Sequence, residues 1–342
     1  MNPIRRKLLD WYDRSARDLP WRRTRDPYAI WVSEVMLQQT RVDTVIPYYQ
    51  RFLGRFPTLE ALAEAEEDTV LSHWSGLGYY RRARLLHAGV REVVAHYDGE
   101  VPEDEEARRA LPGVGRYTAG AIGSIAFDKE EPIVDGNVTR VLARLFRIDT
   151  PVGASVTTKR LWEEAARLVP GERPGALNQS LMELGATVCT PQQPGCESCP
   201  VSKDCAAFAH GEVAVLPVPR ARKAPRRLKL TAVIATRGRG ANRSVWLVKG
   251  RQALFGGLWG VPTFEGKALG ALRELGLRAR LHPEPHALIE HALTHRRLQV
   301  EVFRASDAQG TDTPNLRLFN PETLAEVGVS SLTRKILSTA GL

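Results

Sequence analysis

The residues best able to do metal chemistry are four cysteines, Cys189, Cys196, Cys199 and Cys205, the only cysteines among 342 residues. Their spacing, C-x6-C-x2-C-x5-C, puts four thiolates on one short segment with no histidine between the first and the last. A zinc ribbon would pair two C-x2-C knuckles, and only one is present, CESC at 196–199. Iron–sulfur clusters take four cysteine ligands and tolerate uneven spacing, so an Fe–S cluster is the favoured reading. Zinc, and two disulfides or unliganded thiols, are the alternatives. Thiols kept reduced for a metal point to a reducing, cytoplasmic setting.

Two acids could do chemistry on a bond. Glu34 sits in the nearly apolar segment AIWVSEVMLQQT (29–40). On a helix its neighbours three and four residues away are Ile30, Trp31, Leu37 and Gln38, so the carboxyl lies on the inward stripe. Desolvation raises its pKa, and a glutamic acid tuned toward ~6–7 is a competent general acid. The alternative is a Glu that reaches solvent or pairs with an arginine. Asp135 precedes a helix whose apolar face is Val138, Val141, Leu142 and Leu145. Helix N-terminal amides are expected to lower its pKa, and a plain helix cap is the other reading. One acid protonated and one ionised would suit cleavage of a sugar–leaving-group bond through an oxocarbenium-like state.

Gly113 and Gly115, in ALPGVGRYTAGAIGSIAF (110–127), mark a turn between two helices. Both glycines permit positive φ, and outward amides at the start of the second helix can bind an anion such as a DNA phosphate. A turn that merely joins two helices is the bland reading.

The elements that must position these groups are helical through residue 205. Apolar residues recur at helical spacing in 58–72, 83–95, 116–127, 137–147 and 157–169. Residues 206–229, rich in Pro and Arg, read as a basic connector. From 230 the period turns to two, in KLTAVIAT, SVWLVK and LQVEVF, which predicts strands followed by short helices. The expected fold is therefore multidomain: an all-α domain over 1–205, a linker over 206–229, and a smaller α/β domain over 230–342. The net charge of +9 is uneven: 27 basic against 29 acidic side chains in 1–205, 6 against 1 in 206–229, and 15 against 9 in 230–342. A basic chain suggests a polyanionic partner, although the first 205 residues carry no such excess. The N-terminus, MNPIRRKLLDWYDRS, reads as neither a secretory signal nor a membrane span.

The strings LPWR (19–22), SEVMLQQTRV (33–42), GLGYYRRAR (76–84), LPGVGRYTAGAI (111–122) and VDGNVTRVL (134–142), with the cysteine segment, resemble the helix-hairpin-helix DNA glycosylases that carry an Fe–S cluster. SEVMLQQT together with a tyrosine in GVGRYTAG resembles the adenine-specific branch. The endonuclease III type carries a lysine at the position of Tyr117. A lysine amine can attack the sugar and lead to strand breakage, and a tyrosine cannot form that Schiff base. The resemblance implies a monofunctional glycosylase that removes adenine opposite 8-oxoguanine or guanine in duplex DNA, acts as a monomer and is nucleoid-associated. It implies that Glu34 protonates adenine N7 and activates water, and that Asp135 stabilises the sugar cation with Asn137 and Tyr117 beside it. Trp21, Arg22 and Leu37 resemble part of the adenine pocket. Gln39, Leu77 and Tyr79 resemble the wedge that fills the opened base stack.

The C-terminal region, with GGLWGVPTF (256–264), resembles a Nudix fold. The segment 266–280 offers Glu274 and no adjacent glutamate pair, so metal-dependent phosphohydrolase activity is not expected. HALTHRRLQVEV (291–302) resembles the family's 8-oxoguanine recognition loop, with Leu293, Thr294 and His295 where an aromatic–Ser–His triplet is frequent. The competing readings are an endonuclease III-like glycosylase/lyase and a non-catalytic Fe–S DNA-binding module.

Overall fold

A computed structural model describes residues 2–220, 224–240, 243–250, 256–266, 268–293 and 295–342. The helices are α1 (Pro3–Ser15), α2 (Pro27–Leu37), α3 (Val42–Arg55), α4 (Leu59–Ala63), α5 (Glu67–Trp74), α6 (Arg81–His96), α7 (Glu105–Ala110), α8 (Arg116–Phe127), α9 (Gly136–Leu145), α10 (Ser155–Leu168), α11 (Pro174–Thr187), α12 (Ala206–Ala209), α13 (Ala268–Glu274), α14 (Pro321–Ala325) and α15 (Ser331–Ser338). The strands are β1 (Arg226–Arg237), β2 (Ser244–Lys249), β3 (Trp259–Gly260), β4 (Thr263–Phe264), β5 (Arg278–Leu281), β6 (Ala287–Leu293), β7 (Arg296–Gln309) and β8 (Leu316–Phe319). Among the described residues no helix is long and apolar enough to cross a membrane.

The chain divides into two units, Met1–Ala63 with Ala88–Arg222, and Glu64–His87 with Lys223–Leu342. In the first, α1, α8, α9, α10 and α11 share a core that includes Leu8, Val138, Val141, Leu142, Leu161 and Leu181. Asp26 caps α2 by accepting from the amides of Tyr28 and Ala29 at 3.0 and 3.2 Å, and Pro27 occupies the first turn, where its missing N–H costs nothing. Helices α9 and α11 approach backbone to backbone at Gly185, where a Cβ would stand 2.6 Å from Asn137 Cβ. The first part of the expected connector is fixed to this unit. Glu212 pairs with Arg147 at 2.7 Å, the Leu216 carbonyl accepts from Arg144 at 2.9 Å, and Val152 N–H donates to the Val218 carbonyl at 2.9 Å.

In the second unit β1 and β7 run parallel, in register from Arg226 opposite Arg296 to Ala235 opposite Ala305. β5 and β6 pair antiparallel with β7, and β2 links β1 to β3 and β8. Alternate residues of β1 enter different apolar clusters, Ala232 and Ile234 on one face, Val233 and Ala235 on the other. Leu332 and Ile336 of α15 cover the first face, and Ala268 and Leu272 of α13 the second. The sheet is thus buried on both sides, as a parallel pair requires.

The apolar recurrence over 58–72 breaks at 64–66, and α5 belongs to the second unit. Asp68 pairs with Lys249 at 2.9 Å, the hydroxyls of Tyr80 and Ser75 donate to the Val329 carbonyl at 3.1 and 3.2 Å, and Gly328 leaves room for Leu71. Helical periodicity marks an apolar face and does not say what covers it.

Candidate active site and cysteine centre

Glu34 lies on α2, where every residue from Tyr28 to Met36 is buried, and is itself 4% exposed. Burial pushes its carboxyl up to about 7. The Tyr117 hydroxyl, which donates to Glu34 Oε2 at 2.5 Å, opposes that rise, as does the positive charge of Arg22, while the nearby Asp135 reinforces it. Tyr117 is held neutral by the same burial and by both acids. Its hydroxyl also lies 3.3 Å from Met182 Sδ.

Asp135 caps α9. Its Oδ1 accepts from Val138 N–H at 2.7 Å, and its Oδ2 accepts from Asn137 Nδ2 at 3.2 Å. Asn137 Oδ1 accepts from Arg140 Nη2 at 2.8 Å, and Arg140 also donates to the carbonyls of Cys189 and Gly185, at 2.7 and 2.6 Å. The expected drop in the pKa of Asp135 is not found. Burial raises it, and the cap hydrogen bonds and Arg140 only partly offset that. What separates the two acids is the number of partners for the charged form: several at Asp135, fewer at Glu34.

Both acids line one cavity of about 620 Å³, within the usual range for small-molecule pockets. Trp21, Arg22, Leu37, Gln39, Gly113, Gly115, Tyr117 and Asn137 line it too. Gly113 has φ +78°, which a glycine accommodates without strain. Gly115 has φ −91°, so its positive φ is not found, but a Cβ there would meet open space. Leu77 and Tyr79 belong to the other unit and are not among the lining residues. Tyr79 is 46% exposed at φ +49°, with the Arg82 guanidinium over its ring at 5.3 Å. Residues 291–293 end β6 and residues 296–302 begin β7, and His295, just before β7, is exposed. Thr294 lies outside the described residues.

The sequence reading missed Arg17, Gln179, Met182 and Glu183, which also line the cavity. Glu183 did not carry the signal of Glu34, because its neighbours three and four residues away are Gln179, Ser180, Ala186 and Thr187; only the flanking Leu181, Met182 and Leu184 hint at burial. Burial would raise its pKa, but hydrogen bonds from Arg17 and Arg22 outweigh burial and hold it at about 2.

The four cysteines line a second, small cavity with Val141, Arg144 and Val188. Arg144 Nη1 lies 3.3 Å from Cys189 Sγ and donates to the Thr190 carbonyl at 2.8 Å. Backbone amides of Val201 face Cys199, and those of Phe208 and Ala207 face Cys205. Burial, followed by repulsion among the sulfurs, pushes Cys199 up to about 11 against its amide partner, and burial likewise raises Cys196 and Cys205. Among the described residues no three of His, Cys, Asp or Glu converge on a point that one metal ion could occupy.

A helical unit with a hairpin beside paired acids, followed by a mixed-sheet unit, matches two family models. Residues 32–167 match the HhH-GPD superfamily base excision DNA repair proteins, and residues 233–339 match the NUDIX domain. The chain is 35% identical over 263 residues to an adenine DNA glycosylase of Buchnera aphidicola subsp. Acyrthosiphon pisum, which spans 76% of this chain and 74% of the relative. It is 52% identical over 226 residues to an adenine DNA glycosylase of Rattus norvegicus, which spans 63% of this chain but only 44% of the relative. A solved thermostable thymine-DNA glycosylase superposes with a TM-score of 0.55 at 33% identity, covering 60% of this chain and 95% of that one. The chain belongs to the adenine DNA glycosylase family.

Proposed function

We propose that the protein removes adenine paired with 8-oxoguanine or guanine in duplex DNA by hydrolysing its N-glycosidic bond, leaving an abasic site. The observation that carries this reading is a glutamic acid buried at about 7 in the same cavity as a capped aspartate. Glu34 donates its proton to adenine N7 as the C1′–N9 bond breaks, and the Asp135 carboxylate stabilises the cationic sugar. Glu34, then ionised, takes a proton from the water that adds to C1′. Tyr117 orients Glu34 and offers no amine, so the strand stays intact. Trp21, Arg22 and Leu37 hold the extruded base, and the amides around Gly113 and Gly115 hold phosphate. Gln39, Leu77 and Tyr79 fill the opened stack, and Thr294 and His295 contact the 8-oxoguanine.

Cys189, Cys196, Cys199 and Cys205 hold a 4Fe–4S cluster. Four sulfurs around one cavity, with amides aimed at two of them, fit a multi-iron centre better than a lone zinc with sulfurs ~2.3 Å from one ion. The cluster orders the loop that receives Arg140 and Arg144, a structural role, since hydrolysis of this bond transfers no electron. The enzyme acts as a monomer in the cytoplasm on nucleoid DNA.

The test is incubation with an 8-oxoguanine·A duplex and direct assay of free adenine. Release of adenine with no borohydride-trapped protein–DNA adduct is the expected result. A trapped adduct favours a glycosylase/lyase instead, and an intact duplex after alkaline treatment favours a non-catalytic DNA-binding module.

A further inference from the structure

Glu183 is a carboxylate to which the proposed reaction gives no task. It is 1% exposed on α11, and it lines the cavity with Gln179 and Met182 of the same helix. Its oxygens accept four N–H donors: the Arg17 amide at 3.1 Å, Arg17 Nε at 2.7 Å, Arg17 Nη2 at 2.8 Å and Arg22 Nη2 at 2.8 Å. Arg22 Nη1 donates in turn to the Arg17 carbonyl at 3.0 Å. The Arg22 guanidinium lies over the Tyr12 ring at 5.4 Å, and the Tyr12 hydroxyl donates to Gln179 Oε1 at 3.1 Å. Arg22, Gln179 and Glu183 therefore belong to one network in the cavity wall.

We propose that Glu183 is a positioning residue for base release, fixing the plane of Arg22 so that the donors left over point at the acceptor edge of the extruded purine. This rests on the adenine reading above. A guanidinium has five N–H donors in a rigid fork, so anchoring Nη2 on a buried carboxylate and Nη1 on the Arg17 carbonyl fixes where the others point. Adenine offers unprotonated ring nitrogens to such donors, whereas guanine carries a hydrogen on N1 and would meet them donor to donor. Arg17 completes the charge balance that lets a carboxylate stay ionised away from water. Arg22 is also the cation nearest in effect to Glu34, so its placement sets the field at the acid.

The experiment compares Glu183→Gln, Arg22→Ala and the double variant in the full, cluster-loaded chain. Single-turnover adenine release is measured with an 8-oxoguanine·A duplex, and affinity with the same duplex carrying a non-cleavable adenine analogue. Misplacement of a positioned group typically costs on the order of 100-fold, which is the loss expected for Glu183→Gln. The double variant is expected to be no slower than the worse single variant, because both changes remove one arrangement. Duplex affinity should stay within about threefold, since the phosphate contacts are untouched. The alkaline limb of the rate should move to lower pH in Glu183→Gln, where two arginines face the acid without their counter-charge. A folded, cluster-bearing Glu183→Gln that releases adenine within about twofold of the parent overturns the proposal, and so do losses that multiply in the double variant.

Should Glu183→Gln fail to fold, Glu183→Asp replaces it, and a further loss on adding it to Arg22→Ala overturns the proposal. A parent protein that releases no adenine sinks the adenine reading instead. The positioning claim is then read by NMR from the Arg22 guanidinium protons, which should exchange slowly in the parent and faster in Glu183→Asp. Equal rates overturn it.

Discussion

The chemistry at residue scale depends on a carboxyl placed where ionising is hard. Glu34→Gln keeps the shape and the Tyr117 contact but has no proton to give. Adenine release should fall by about 10²–10⁴ while duplex affinity holds, and release near the parental rate would remove Glu34 from its role. The pH dependence has a definite sign. Glu34 titrates at about 7 in the folded protein, so it is protonated below that value and loses its proton above it. The single-turnover rate should therefore fall as pH rises through about 7, and a profile that stays flat from there up to about pH 9 would contradict the assignment. Stability follows the same linkage. The unfolded chain loses this proton near its ordinary value of 4.5 and the folded chain only near 7, so ionisation favours unfolding as pH climbs between them. Glu34→Gln should gain stability over the parent progressively from about pH 5 to pH 8, by about 3 kcal/mol at most in denaturant unfolding; a constant difference would mean that the pKa of Glu34 is not raised in the folded protein. Glu34 was legible in the sequence because three of its four helical neighbours are apolar. The pKa of Asp135 was misjudged because its cap was visible in VDGN, whereas α11, which packs against the start of α9 at Gly185, lies some fifty residues along the chain.

At the scale of elements, the site rests on helices brought closer than side chains normally allow. α11 touches the start of α9 at Gly185, and a methyl group there would meet Asn137 Cβ at 2.6 Å and the Asn137 carbonyl at 2.9 Å. Asn137 bridges Asp135 to Arg140, so Gly185→Ala should displace the acid as well as loosen the packing. Overpacking of this kind costs about 1–3 kcal/mol, and adenine release should fall further than the change in thermal stability alone accounts for. A variant that loses stability but, once folded, turns over at the parental rate would show that the contact matters to packing only. The helices themselves were legible from periodicity, and the hairpin from its glycines. Gly185 was not, because one glycine in a helical run reads as a small loss of propensity until the partner backbone is known.

At the scale of the whole chain, the boundary drawn from composition at 205–230 marks the change from helical to strand periodicity, and the contacts divide the chain inside that stretch, after Arg222, but also assign an earlier segment to the second unit. Residues 64–87 lie in the first half of the sequence, yet they pack with the sheet that begins at Arg226. Sequence order carries no information on this, because α5 has an ordinary amphipathic pattern and its partners, Lys249 and Gly328, lie some 180–260 positions later. The consequence is specific to truncation. A chain ended after Arg222 keeps every cavity-lining residue and all four cysteines, but it leaves α5 without the surface that covers Leu71. Exposing one large apolar side chain costs about 1.5–3 kcal/mol, equivalent to roughly 10–100-fold in a local opening equilibrium. Amides of Glu67–Trp74 should therefore exchange with deuterium faster by that factor in the truncated chain, while those of α9 and α11 change little. Unchanged exchange in α5 would mean that residues 64–87 hold their structure without the sheet. Loss of protection throughout α9 and α11 as well would mean that the helical unit does not stand alone.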